Sequence, residues 1–165
     1  MATVQRLNHA VLWVSDATRS AQFYCEVLGF EIEEDLGGGQ AIFLHAPGSG
    51  NHHDLGLFSR GPGAEVPPRG SLGLYHLAWQ VDTIDELVIV QDRLRHRNAL
   101  AGASDHGMSK SLYALDPDGI EFEVVWMVPR ASWQDSKTAP LDLAAEVRMW
   151  SGTPTAAESS QRLAT

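Results

Sequence analysis

Cysteine occurs once, at Cys25, which excludes an intrachain disulfide and makes a reducing cytoplasm the expected compartment. Basic residues are scarce: 12 Lys and Arg stand against 21 Asp and Glu, for a net charge of -9. No nucleic-acid partner is expected, because phosphate binding needs clustered cations. No window approaches the roughly 20 apolar residues of a membrane-spanning helix, so no membrane partner is expected. Residues Met1 to Asn8 lack a basic segment followed by a long apolar run, and read as neither a secretory signal nor an anchor. What remains is a chain of 165 residues whose apolar fraction of 44% is enough for one compact domain with a sizeable core.

What the chain does have is a hidden repeat. Leu7-Asn8-His9-Ala10-Val11-Leu12-Trp13-Val14 can be laid on Leu74-Tyr75-His76-Leu77-Ala78-Trp79-Gln80-Val81 at a constant offset of 67, which pairs His9 with His76. Both runs alternate as half-buried strands do. Each is followed by a helical pattern. Ala17 to Leu28 carries Ala21, Tyr24, Val27 and Leu28 on one face and stops at Gly29; Ile84 to Arg95 carries Ile84, Leu87 and Leu94. Three short strand patterns follow each helix, near Phe30–Glu33, Gln40–Leu44 and Asp54–Phe58, and near Leu100–Ala103, Ser111–Leu115 and Ile120–Trp126. Turn-forming stretches such as Gly37-Gly38-Gly39 and Asp116-Pro117-Asp118-Gly119 separate them.

The expected fold is therefore α+β: two βαβββ modules, about 4–60 and 72–128, forming a curved mixed sheet around a metal cavity with the helices outside. A Gly- and Pro-rich linker around Gly61 to Gly70 joins the modules, and 1–128 reads as one domain. A C-terminal extension, 129–165, would be partly helical over Leu141 to Trp150 and frayed from Ser151 onward.

Strand alternation sorts the polar residues. Ala10, Leu12 and Val14 share the helix side of the first strand, leaving His9, Val11 and Trp13 on the other face. Leu77, Trp79 and Val81 oppose His76, Ala78 and Gln80 in the same way. In the last strand Ile120, Phe122 and Val124 are the apolar set, leaving Glu121 and Glu123 opposite. Two His and one carboxylate on cavity-side faces form a facial set with open coordination positions, which suits Fe(II) and would also accept Mn(II), Zn(II) or Ni(II). Pleat parity alone does not separate Glu121 from Glu123. Cys25, at a helical position without a basic partner, reads as an inert thiol.

Four segments carry a family resemblance: Leu7-Asn8-His9, Phe23-Tyr24-Cys25-Glu26-Val27-Leu28-Gly29-Phe30, Tyr75-His76, and Asp116-Pro117-Asp118-Gly119-Ile120-Glu121-Phe122-Glu123. They resemble the vicinal oxygen chelate superfamily of glyoxalase I, type I extradiol dioxygenases and bleomycin- or fosfomycin-resistance proteins. The resemblance implies a metal held by His9, His76 and Glu123, since the family's carboxylate lies four residues past the turn glycine. Further likeness to one-domain extradiol dioxygenases implies catalytic roles for His53, in Asn51-His52-His53-Asp54, for His106, in His106-Gly107-Met108-Ser109, and for Tyr113. The offset of 67 carries Glu123 back onto Gly56, so the first module offers no fourth ligand; Asp54 is the nearby alternative of a glyoxalase-type site.

The reading this supports is metal-dependent, meta-cleaving ring opening of a catechol-type aromatic with O2, in a homodimer. Trp13, Val11 and Val125 would wall the aromatic ring. A glyoxalase- or epimerase-type lyase or isomerase, and an antibiotic-binding resistance protein, are the alternatives.

Overall fold

The computed structural model describes residues 1–68, 70–136 and 138–154. The chain divides into two compact units, Met1–Leu72 and Gly73–Thr165. In the first, β1 (Ala10–Val14) leads to α1 (Ala17–Leu28), then β2 (Glu31–Asp35), β3 (Ala41–His45) and β4 (Leu55–Ser59). In the second, β5 (Leu77–Gln80), α2 (Ile84–His96), β6 (Leu100–Asp105), β7 (Ser109–Leu115) and β8 (Glu121–Met127) repeat that order. The extension adds β9 (Ala139–Pro140) and α3 (Leu143–Trp150). The expected mixed sheet is two sheets, one per unit, with strand orders β1-β4-β3-β2 and β5-β8-β7-β6-β9.

Local chemistry explains the helix limits. Asp16 caps α1 by accepting from Arg19 N, and Gly29 ends it in the left-handed conformation at φ 75°, which a Cβ would disfavour. Thr83 and Glu86 form a reciprocal capping box at the start of α2. The helix faces expected from spacing are the ones that pack: Ala21, Tyr24 and Val27 in α1, and Ile84, Leu87 and Leu94 in α2, are all buried. Leu44, Leu55, Leu57, Leu112, Phe122 and Trp126 meet them from the sheets. Each such side chain contributes roughly 1.5–3 kcal/mol on leaving water.

The register makes the repeat quantitative. Across the first sheet Val11, Gly56 and Phe43 stand side by side on β1, β4 and β3. Across the second, Ala78, Glu123 and Tyr113 hold the same places on β5, β8 and β7. Val11 to Ala78 and Gly56 to Glu123 both keep the offset of 67. In each βαβββ module the first strand pairs in parallel with the fourth, and the intervening strands run antiparallel.

Two expectations shift. His9 and His76 each stand one residue before their strand rather than within it, because pairing starts at Ala10–Leu55 and Leu77–Phe122. The extension packs within the second unit: β9 pairs with β6, and α3 packs on α2. Of the frayed end expected from Ser151, residues 151–154 are held, since Ser151 Oγ and Gly152 N both donate to the Asp85 carboxylate. Residues 155–165 lie outside the described residues.

Candidate active site

In the second unit β8 owes its placement to the turn before it. Asp116 Oδ1 accepts from Asp118 N and Ile120 N at 2.9 and 2.8 Å, while Gly119 takes the left-handed conformation at φ 80°. That turn sets the strand phase, burying Phe122 and Val124 and leaving Glu121 and Glu123 on the opposite face. His76 meets both carboxylates. Its Nε2 is 3.1 Å from Glu123 Oε2, and its Nδ1 is 3.9 Å from Glu121 Oε1.

The closer pair fits a metal ion. Two ligands at right angles, each roughly 2.1 Å from one ion, stand roughly 3 Å apart. His76 Nε2 and Glu123 Oε2 already have that spacing. Within the described residues of either unit, no three His, Cys, Asp or Glu side chains converge on one point.

Tyr113 lies across β7 from Glu123, and its hydroxyl is 2.9 Å from His106 Nε2. Burial first, and then the charge of Glu123, hold the Tyr113 phenol above its ordinary range, so it stays protonated. His106 is fixed by the extension: Gly107 turns at φ 82°, and a Cβ there would lie 2.6 Å from the Asp135 carbonyl. Lys110 ties the same loop to α3 through Asp105 at 2.6 Å and Glu146 at 3.0 Å.

The first unit supplies His9 and His53, whose ring centroids are 4.7 Å apart. His53 also leans on Phe43, at 4.9 Å. His52 instead points outward near Glu33. The residue behind His53 explains the loop. Asp54 is buried and accepts from Ala46 N at 2.8 Å, Ser49 Oγ at 2.7 Å and Asn51 Nδ2 at 2.7 Å. Burial alone would raise its carboxyl, but these hydrogen bonds, with His45 beside it, outweigh burial and hold it below the ordinary range. Both its oxygens are engaged, which removes Asp54 as a fourth ligand. Gly56 is no ligand either: the Phe43 ring occupies its side-chain space, 3.3 Å from where a Cβ would stand.

Sequence reasoning missed Phe43, although it is the register counterpart of Tyr113. Three inserted residues hide it, because its offset to Tyr113 is 70 rather than 67. The Asn8 and Asn51 side chains beside His9 were also missed, and no spacing rule would have found them.

Comparison with known proteins identifies the family. Residues 6–124 match the Glyoxalase/Bleomycin resistance protein/Dioxygenase superfamily. A catechol-2,3-dioxygenase of Bacillus subtilis (strain 168) is 35% identical over 129 residues, covering 78% of this chain and 44% of that protein. Biphenyl-2,3-diol 1,2-dioxygenase 3 of Rhodococcus globerulus is 31% identical over 122 residues, covering 72% of this chain and 62% of that one. The chain thus spans less than two thirds of the length of either curated relative. The crystal structure of a glyoxylase/bleomycin resistance protein/dioxygenase domain from Frankia sp. EAN1pec superposes with a TM-score of 0.62 at 23% identity, covering 76% of this chain and 94% of that domain. With its paired βαβββ units and a match running from the first strand into the last, the chain belongs to the glyoxalase/bleomycin resistance protein/dioxygenase superfamily.

Proposed function

We propose that this protein is an extradiol, ring-opening dioxygenase acting on a catechol-type aromatic with O2, in which His9, His76 and Glu123 hold one divalent ion. The donor set favours Fe(II) and tolerates Mn(II), Zn(II) or Ni(II). The observation that carries this reading is the contact of 2.9 Å between His106 Nε2 and the Tyr113 hydroxyl, one strand across from Glu123. A ligand carboxylate, a protonated phenol and an imidazole on one sheet face can bind and steer a substrate with two adjacent oxygens. The dioxygenase names of the two curated relatives support the same reaction.

When bound, the ion supplies Lewis-acid polarisation and open positions at which catechol and O2 meet. The protein's residues do the rest. Tyr113 keeps its proton and donates a hydrogen bond to a substrate oxygen, while His106 orients that hydroxyl. His53 accepts a catechol proton and returns it during ring opening, since imidazole is the side chain suited to moving protons near neutrality. Val11 and Trp13, exposed on the face of β1 that bears no helix, offer apolar surface to the ring, as does Val125 on β8.

The test is metal analysis of protein purified without oxygen, followed by a catechol panel. Oxygen uptake on admitting air, together with the visible absorbance of a ring-opened semialdehyde, is expected. Catechol binding without oxygen uptake refutes the reading. Turnover with Ni(II), Co(II) or Zn(II) and no oxygen requirement establishes a lyase or isomerase instead. A homodimer in the cytoplasm is the assembly and compartment that accompany the proposal, and sedimentation equilibrium tests the former. Among the described residues, no helix is long and apolar enough to cross a membrane.

A further inference from the structure

Four polar side chains behind His9 form a hydrogen-bonded chain whose direction is fixed at both ends. Asn51 uses its whole hydrogen-bonding capacity. Its Nδ2 donates to Asp54 Oδ1 and to the Asn8 carbonyl, both at 2.7 Å. Its Oδ1 accepts from Arg6 Nη2 at 2.8 Å and from Asn8 Nδ2 at 3.2 Å. Flipping this amide would set its NH2 against the Arg6 guanidinium, which can only donate. It would also set its oxygen against the Asp54 carboxylate, whose oxygens already accept from Ala46 and Ser49. Only one orientation of Asn51 satisfies both ends.

The orientation of Asn8 follows. Because Asn51 Oδ1 must accept, Asn8 presents its NH2 there and its Oδ1 to the other side. That Oδ1 lies 2.8 Å from His9 Nδ1. An amide oxygen can only accept, so the imidazole proton sits on Nδ1 and the lone pair on Nε2. A free imidazole side chain in water prefers the opposite form, with the proton on Nε2. A metal ligand must offer a bare nitrogen, and the partner of the other ring nitrogen decides which one is bare.

We propose that Asp54, through Asn51 and Asn8, sets the tautomer of His9, making Asn51 and Asn8 positioning residues that aim the His9 Nε2 lone pair at the metal. The metal half of this inference rests on the proposed ligand role of His9; the tautomer half does not. The relay also joins the two His of the first unit, since Asn51 and Asp54 belong to the loop that carries His53 against His9.

The test uses long-range proton–nitrogen NMR of the full-length, metal-free protein, then Zn(II) titration by calorimetry. In the unaltered protein His9 is expected as the Nδ1–H form. Asn8→Leu and Asn51→Leu should move the population toward Nε2–H and weaken Zn(II) binding by roughly 10–100-fold. Asn8→Asp gives up the donor to Asn51 Oδ1 but keeps an acceptor beside His9 Nδ1, and should retain the Nδ1–H form. Far-UV circular dichroism checks that each variant folds. His9 found as Nε2–H in the unaltered protein, or a tautomer indifferent to both leucine variants, overturns the proposal. If the tautomer responds as expected but Zn(II) does not bind the unaltered protein, the tautomer relay stands and the metal assignment of His9 falls.

Discussion

Replacing Lys110 by methionine is expected to destabilise the second unit by about 3–5 kcal/mol, the usual cost of removing one partner from a buried ionic group. The Lys110 side chain is only 7% exposed, and its ammonium lies 2.6 Å from Asp105 Oδ1 and 3.0 Å from Glu146 Oε1. Those carboxylates are themselves only 13% and 18% exposed. Methionine preserves most of the apolar stem, so the loss is chiefly electrostatic: two partly buried anions face each other without their shared cation. Glu146→Gln keeps the Lys110–Asp105 pair and an acceptor for Nζ, and should cost less than about 1.5 kcal/mol. The double variant should lose less than the sum of the singles, because the neutral amide no longer needs the cation. Urea unfolding reads these differences as a shift of midpoint at constant slope. For a domain of this size Lys110→Met should also lower Tm by roughly 6–20 °C. A loss below about 1 kcal/mol for Lys110→Met, or strict additivity in the double variant, would refute the assignment of this triad as the tether of the extension.

Three further outcomes follow from the geometry. Asp54 has a folded pKa depressed below its unfolded value, so its stabilisation is full above the ordinary carboxylate range and is lost as pH falls through the folded value; Asp54→Ala should be less stable at pH 7 than the unaltered protein, and that gap should narrow in acid unfolding curves. Gly56→Glu, which restores a carboxylate to the first unit, must displace the Phe43 ring now 3.3 Å from the Cβ position, and should cost about 1–3 kcal/mol by urea unfolding. Glu123→Gln removes the second cause of the raised Tyr113 pKa but not the first, which is burial; ultraviolet titration should find that phenol lowered yet still above its ordinary value, and no shift would break the link between the two residues.

Much of the fold was legible because burial imposes periods on a sequence. The helix-facing residues of α1 and α2, the alternation in β8 and the order of the elements all follow from which side chains must leave water. The equivalence of His9 and His76 survives as well, because both stand one residue before their strands. Strand ends were less legible: β6 runs on to Asp105 and β7 begins at Ser109, since ladder length depends on partners elsewhere in the chain. Asp54 illustrates the remaining gap. Its sequence position makes it a candidate ligand, and only the loop geometry commits its oxygens to Ala46, Ser49 and Asn51.

The sequence by itself determined the paired modules, the single cysteine that forbids an intrachain disulfide, and the two carboxylates on one face of the last strand. These are matters of composition and period. The tertiary structure decided which groups are spent and which remain available: Phe43 fills the space beside Gly56, His106 meets Tyr113, Lys110 binds the extension, and Asn51 orients Asn8 toward His9. Hydrogen bonds and close packing depend on rotamers and on loops folding back across many residues, and one-dimensional spacing carries no record of either.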